Sequence, residues 1–276
     1  MSDSRDKSRR STPTSGKKEN RAYPLVEAEI INPTALPPVQ REAVLRRLYA
    51  VYQEIFLGVT MDQFVHYLIR PDAVRTRIQI YRGEGGELVG YCAVHLFELA
   101  KNHQLLGIFR AEAGLLPAYR GTGATLWFGA KEAFRYKALH PFRSVALFAM
   151  PVHPSSFHML SKYFWKCYPH PGRAIPERWQ KLLLDLAQSS GDEAVDPSDP
   201  MVRRVGWITR ESEADAAAWH GSEHEDIQFY LSRNPGYAKG HGLAFIAPLT
   251  SGNFIVSFIQ YLWHFVVLWL SRGPGR

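Results

Sequence analysis

The residues whose types and spacing could do chemistry lie mainly in one stretch, residues 111–138. A short apolar run reaches Pro117, and a glycine-rich turn, YRGTGA, then leads directly into an amphipathic helix. The first backbone N–H groups of a helix have no intrahelical partner, and the helix dipole favours negative charge there, so the turn predicts an anion site. Gly121 and Gly123 would let a phosphate approach the backbone, and Arg120 adds a forked positive charge.

This turn resembles the acyl-CoA pyrophosphate loop of the GNAT superfamily of N-acyltransferases, whose signature is Gln/Arg-x-x-Gly-x-Gly/Ala between a strand and a helix. The matching positions are Arg120, Gly123 and Thr125, of which Thr125 departs from the final Gly/Ala. An ordinary strand-to-helix turn is the alternative interpretation. The resemblance implies that acetyl-CoA or another acyl-CoA binds through Leu115, Arg120, Gly121, Thr122, Gly123, Ala124, Thr125 and Ser155.

The order of the predicted elements also resembles the GNAT core, over roughly residues 36–166. Apolar periodicity and turn residues give two helices, a hairpin around GEGG, a strand, the loop with its helix, a strand and a helix. The predicted fold class is therefore α+β (mixed α/β), with a central, mostly antiparallel, splayed sheet flanked by helices. The strands at 105–113 and 144–150 are expected to splay and admit the pantetheine arm of the donor.

Beyond residue 166 the resemblance weakens. Residues 176–188 have the pattern of a helix, and residues 189–200 form a polar, acidic stretch that predicts a loop. Strand-like patterns return at 201–209 and 226–231. We expect these two segments to be the closing strands of the sheet, delayed by the inserted helix.

Composition divides the 276 residues into three parts. Residues 1–21 are polar and basic, so they predict a disordered tail. Residues 22–235 would form the GNAT-like domain, and residues 236–276 an apolar C-terminal segment. The net charge of +7 suits a polyanion such as coenzyme A or an anionic membrane surface. Nucleic acid is not expected, because no helix interleaves basic and aromatic residues.

Cysteine usage and the N-terminus favour a cytoplasmic location. Cys92 and Cys167 form neither a CxxC motif nor a disulfide framework, and the N-terminus is polar with no signal peptide pattern.

Residues 254–270 are uncharged and almost entirely apolar, at the lower end of the about 17–25 residues that can span a bilayer. Asn253, Ser257, Gln260 and His264 would form one polar stripe on a helix. We therefore expect monotopic or re-entrant membrane contact, with a buried or dimer helix and a partner-docking helix as alternatives.

The resemblance also implies catalytic roles. The strand before the loop often carries the general base in this family, and here it holds Glu112, whose apolar neighbours would raise its pKa on burial. A surface carboxylate paired with Arg110 is the alternative. The family's tyrosine acid falls near Ser161, which leaves Tyr163, two residues on, as the candidate acid; packing is the other role open to it.

Histidine spacing predicts no metal site. His153 and His158 are five residues apart, which is not the i, i+4 spacing of a helical ligand pair. His220 and His224 have that spacing and acidic neighbours, a weak zinc pattern, but a solvated segment is the preferred interpretation.

The sequence therefore predicts an enzyme that moves an acyl group from acyl-CoA to a small-molecule or lipid-like amine, without a metal, at or near a membrane surface. Two alternatives stay open: a catalytically inactive GNAT-like scaffold, and a transferase that uses a long-chain acyl-CoA or acyl-carrier protein with a lipid-like acceptor. A homodimer is also left open. Serine-hydrolase chemistry is not supported, because the chain has no Gly-x-Ser-x-Gly elbow.

Overall fold

The computed structural model describes residues 23–101, 104–257 and 259. The basic tail predicted at 1–21 lies outside these residues, as does most of the apolar segment predicted at 254–270. Within the described residues, no helix combines the length and the apolar character that a membrane crossing needs.

The described helices and strands are numbered in chain order. The helices are α1 Pro38–Ile55, α2 Met61–Leu68, α3 Ala124–Leu139, α4 Pro154–Tyr163, α5 Glu177–Ser189, α6 Glu213–His220 and α7 Glu225–Arg233. The strands are β1 Glu27–Ile31, β2 Phe56–Leu57, β3 Arg75–Arg82, β4 Leu88–Lys101, β5 Gln104–Leu115, β6 Ser144–Ala149, β7 Glu193–Asp196, β8 Asp199–Arg204, β9 Ile208–Thr209, β10 His241–Leu243 and β11 Phe245–Pro248.

The central sheet has the order β1-β3-β4-β5-β6-β11. Its neighbours are antiparallel except β5 and β6, which run parallel and are joined by the crossover through α3. Apart from the two-residue strand β2, the chain order from α1 to α4 is the one predicted from the sequence. The mixed α/β, mostly antiparallel architecture is therefore confirmed for this part of the chain.

The predicted splay lies between β5 and β6. Their pairing runs from Leu106 opposite Ser144 to Phe109 opposite Leu147. Strand β5 continues to Leu115 in register with β4, but its pairing with β6 ends at Phe109. The backbone edge of residues 110–115 therefore opens towards a gap in the sheet.

Helices cover both faces of the sheet. On one face, α1 and α2 pack on Ile78 and Tyr91 through fully buried side chains such as Leu48 and Phe64. Their apolar residues recur at helical spacing, and a Thr60–Gln63 capping box fixes the start of α2. On the other face, α3 packs on the alternate side chains of β4 and β5.

Three further helices cover the end of the sheet formed by β6 and β11. Helices α4, α5 and α7 pack on β6 and β11 around Phe157, Leu183, Tyr230 and Phe245, which are all fully buried. This arrangement places the closing strand of the sheet at 245–248, inside the segment that the sequence analysis assigned to an apolar C-terminus.

Three predictions for residues 189–231 were wrong. Residues 226–231 lie in α7, because Ile227, Tyr230 and Leu231 bury one helical face at i, i+3 and i+4. The predicted loop 189–200 contains β7, which pairs with β8 in a small separate sheet. The predicted strand at 201–209 divides into β8 and β9, and β9 pairs with β2 rather than with the central sheet.

The start of the apolar C-terminal segment docks on the domain. Asn253, 1% exposed, accepts a hydrogen bond from the Lys166 amide at 2.9 Å and donates to the carbonyls of Lys166 at 2.9 Å and Pro248 at 2.6 Å. Ser257 accepts from the Trp165 amide at 3.4 Å. The first two residues of the predicted polar stripe therefore face protein.

One buried carboxylate fixes α3 against the sheet. Glu132 is 1% exposed and lies 2.9 Å from Arg77 and 3.5 Å from Arg75, both on β3. Arg135 on the helix surface lies 3.8 Å away. Because the glycine-rich turn ends at the first residue of α3, these ion pairs also hold the turn in place.

Replacing Glu132 by alanine is expected to lower the free energy of unfolding by about 2 kcal/mol, because it leaves two partly buried guanidinium groups without their carboxylate. Arg135→Ala removes only the exposed partner and should cost at most about 0.5 kcal/mol. Urea denaturation of both variants measures the difference. Equal effects would contradict a buried locking role for Glu132.

Candidate functional site

The glycine-rich turn adopts the backbone shape that an anion loop requires. Gly121 and Gly123 have φ of 82° and 72°, the left-handed region that side chains disfavour, and Gly123 is the residue before α3. A Cβ at Gly121 would meet no atom within 4 Å, so space is open beside the backbone. The Arg120 Nε donates to the Leu115 carbonyl at 3.0 Å, and the Tyr119 hydroxyl donates to Glu87 at 2.7 Å. The turn is therefore anchored on both sides.

Arg120 is a partly buried cation at this turn. Burial lowers its pKa, while the nearby charges of Asp215 and Glu211 raise it. An arginine side chain stays protonated in proteins, so the turn carries a fixed positive charge.

The first turn of α4 lies close to the same arginine. His153, 3% exposed, precedes α4; its Nδ1 accepts from the Ser155 amide at 3.2 Å and lies 2.7 Å from the Ser155 hydroxyl. Its Nε2 lies 3.0 Å from Glu211. Burial lowers the pKa of His153, Glu211 opposes that effect, and the charge of Arg120 adds to it. The predicted donor residues Arg120 and Ser155 are thus brought to one region.

Glu112 lies at the centre of a buried charge cluster on β5, next to the gap. It is 8% exposed; its Oε1 is 2.7 Å from Arg110 Nε, and its Oε2 is 2.9 Å from His95 Nε2. His95 Nδ1 is in turn 2.8 Å from the Thr76 hydroxyl. Three adjacent strands, β3, β4 and β5, supply these residues on the face that α1 and α2 cover.

The predicted rise in the pKa of Glu112 was wrong. Burial raises the pKa, but the charges of His95 and Arg110 and the hydrogen bond from Arg110 outweigh it, so the pKa lies below its usual value. The carboxyl group is therefore ionised at neutral pH. The alternative pairing with Arg110 is present, although in a buried rather than a surface position.

Several buried polar atoms around this cluster have no hydrogen-bond partner among the described residues. The contact between Glu112 Oε2 and His95 Nε2 has an ion-pair distance but not the geometry of a hydrogen bond. Near the cluster, the buried atoms without a hydrogen-bond partner in the described residues include Tyr91 Oη, His95 Nε2, Glu112 Oε2, Asp192 Oδ2 and Trp207 Nε1. Such groups usually bind water or a ligand.

Aromatic residues of α2 and of residues 205–209 adjoin these atoms. The Tyr67 hydroxyl lies 3.3 Å from Asp192 and donates to the Val205 carbonyl at 3.2 Å, and its ring lies 5.4 Å from that of Trp207. Burial raises the pKa of Tyr67, and the charges of Asp192 and Glu112 add to the rise while Arg110 opposes it. The cluster thus extends from β5 to α2 and Asp192.

The candidate acid lies at the other end of α4 from Ser155. Tyr163 is the last residue of that helix, and the Lys162 amine lies 5.6 Å from its ring centre. Eight residues of helix separate Ser155 and Tyr163 by about 12 Å along the axis.

Sequence reasoning missed His95, Glu211, Asp192 and Tyr67. Arg110 and Glu112 are two residues apart on one strand, so their shared face was readable from the sequence. His95 required the hairpin register, which sets it opposite Arg110. Glu211 and Asp192 come from the later part of the chain, whose elements the sequence pattern did not identify.

No family model matches the sequence, and no curated protein matches it. Solved structures similar to this chain include a ribosomal-protein-alanine N-acetyltransferase from Brucella melitensis, at 17% identity and a TM-score of 0.34, covering 54% of this chain and 98% of that one. An acetyltransferase of the GNAT family from Streptococcus pneumoniae is similar at 14% identity and a TM-score of 0.31, covering 55% and 92%. Naa20 from Chaetomium thermophilum, in complex with a bisubstrate analogue, is similar at 10% identity and a TM-score of 0.36, covering 81% and 86%.

The Glu112 cluster predicts a pH dependence of stability. Because the folded-state pKa of Glu112 lies below its unfolded value of about 4.3, its ion pairs contribute fully above that value and are lost as the pH falls through the folded-state pKa. We expect Glu112→Gln to lower the free energy of unfolding by about 3 kcal/mol at pH 7. The difference from the unsubstituted protein should shrink below about pH 4.

Urea denaturation of both proteins between pH 7 and pH 3 measures this difference. A difference that does not change with pH would mean that Glu112 does not titrate as a stabilised carboxylate.

Proposed function

We propose that the protein is an acyl-CoA-dependent N-acyltransferase. The observation that carries the proposal is the position of Glu112: it lies three residues past the last β5–β6 pair, at the gap, on the strand that leads directly into the glycine-rich turn. The ionised carboxylate, the gap and the proposed donor loop therefore follow one another along β5 and the turn after it.

The donor would bind from the turn towards α4. Its pyrophosphate would lie against Arg120 and the backbone of Gly121, Thr122 and Gly123, at the N-terminus of α3 with Ala124 and Thr125. The pantetheine arm would enter the gap next to Leu115, where the unpaired edge of β5 offers backbone N–H and C=O groups, and would pass Ser155. Acetyl-CoA is the simplest donor of this kind.

In the reaction, the acceptor nitrogen forms a bond to the thioester carbon, the carbon–sulfur bond breaks, and the amine loses a proton. Glu112 would take that proton through a water bound at Oε2, which lacks a hydrogen-bond partner among the described residues. Its lowered pKa keeps it ionised and ready to accept a proton, although it also makes the carboxylate a weaker base. Tyr163 would protonate the departing thiolate.

The acceptor would approach on the face beneath α1 and α2. Buried polar atoms of Tyr91, Asp192 and Trp207 have no hydrogen-bond partner within the described part of the chain, which supports a polar group at that place. A small-molecule or lipid-like amine fits this proposal. Contact of residues 254–270 with a membrane surface stays part of it, and the docking of Asn253 on Lys166 supports a segment that starts against the domain.

Donor binding is tested at Thr125, in the first turn of α3. Thr125→Asp places a negative charge where the pyrophosphate would lie, while an acidic residue there favours the helix itself. We expect calorimetric binding of acetyl-CoA to weaken at least about tenfold, or about 1.4 kcal/mol. Thr125→Asn, which has the same size and no charge, is the matched control. Equal affinity of the two variants would overturn the donor site.

Catalysis is tested at Glu112. The release of free coenzyme A thiol is followed with acetyl-CoA and a panel of peptide, polyamine and small aromatic amines. We expect Glu112→Gln to lower the transfer rate about a hundredfold, because general-base catalysis contributes on this scale, with acetyl-CoA affinity unchanged. Acetyl-CoA binding without transfer to any amine in either protein would favour the inactive scaffold.

A further inference from the structure

A second cluster of titratable side chains lies between α4 and α7. His158 is in the middle of α4, His224 is the residue before α7, and Asp226 is the second residue of α7. One nitrogen of each histidine and one oxygen of Asp226 lie within 4.8 Å of one another. The acyl-transfer proposal uses none of these residues.

The packing of the two helices fixes this cluster. Phe157, next to His158, is fully buried and lies 5.2 Å from the Tyr230 ring and 6.0 Å from the Phe229 ring of α7. The imidazole rings of His158 and His224 consequently approach to 4.8 Å between centres, inclined by 42°. The fold, rather than local sequence, brings the three donors together.

The sequence pattern suggested a different histidine pair. His220 and His224 have i, i+4 spacing, but His220 is in α6 and His224 follows that helix, so the two are not on one helix. His224 instead meets His158, which is 66 residues earlier in the chain. No reading of local spacing could have found this pair.

We propose that His158, His224 and Asp226 bind a divalent transition-metal ion, with zinc as the ion that fits best. Two imidazole nitrogens and one carboxylate oxygen form a donor set that zinc accepts, with a water completing four-coordination. Magnesium and calcium prefer oxygen ligands alone.

The present distances need only a small adjustment. His158 Nδ1 and Asp226 Oδ2 are 2.8 Å apart, and donors around tetrahedral zinc lie roughly 3.4 Å apart. His224 is exposed, so its side chain can move the remaining distance without disturbing the core. Binding replaces the proton between His158 and Asp226 by the metal.

The ion would join α4 to α7 and so strengthen the packing of the two helices against each other. An ion that binds only the folded state adds RT ln(1 + [L]/Kd) to stability. A simple ion pair between His158 and the first turn of α7 is the competing explanation, since an acidic residue is favourable there. The two explanations differ at His224, which only the metal site needs.

The experiment uses the untagged, chelator-treated full chain. Zinc is titrated by calorimetry against a competing chelator, and thermal unfolding is measured with and without zinc. We expect one equivalent to bind with a Kd at or below about 10 µM, and zinc to raise Tm. His224→Ala, which keeps the His158–Asp226 pair, should weaken binding at least tenfold and abolish the Tm rise.

His220→Ala is the matched control, because it removes a neighbouring exposed histidine outside the cluster. It should bind zinc like the unsubstituted protein. Cobalt(II) provides a second readout, since a site with these ligands gives the visible absorption of a tetrahedral complex. The proposal is overturned if zinc does not bind at 100-fold excess, or if His224→Ala binds as tightly as His220→Ala.

Discussion

The arrangement depends on one constraint: two parallel strands pair for four residues and then separate. Parallel strands require a crossover, and here α3 supplies it, so the glycine-rich turn at the start of α3 must lie at the end of β5. Beyond Phe109 the backbone of β5 still pairs with β4 on one side and leaves its other edge without β6. The positions of the turn, the gap and Glu112 therefore all follow from the geometry of β5 and β6.

Burying the charged residues of β5 and of its neighbour β4 costs free energy. Arg110, Glu112 and His95 are all nearly buried, and groups of this kind stabilise a fold only when each retains its partner. Their cost suits a site more than a core, because apolar residues of similar volume would pack as well without desolvation. Tyr91 Oη and Trp207 Nε1 beside them, which have no hydrogen-bond partner in the residues that the structure describes, strengthen that interpretation.

The sequence allowed the first part of the fold to be predicted and failed for the rest for physical reasons. Glycine, proline and apolar periodicity indicate local structure, so α1 to α4 and the hairpin of β3 and β4 could be predicted from the sequence. Residues 226–231 were ambiguous, since apolar residues at 227, 229 and 231 alternate as in a strand, whereas those at 227, 230 and 231 also recur at helical spacing. Of the candidate site, Glu112 and the turn could be proposed from the sequence because their signals are local. His95 and Glu211 depend on register and on contacts across the chain.

The position of β11 has a consequence for the folding of the protein during its synthesis. Phe245 pairs with Ala149, about a hundred residues earlier, and five consecutive residues from Leu243 to Ala247 are completely buried. Closing so long a loop costs entropy before any contact compensates it. A ribosome must therefore release almost the whole domain before the sheet is complete. Until β11 pairs with β6, the apolar side of β6 that it covers stays exposed. We therefore expect chaperones to bind the nascent chain.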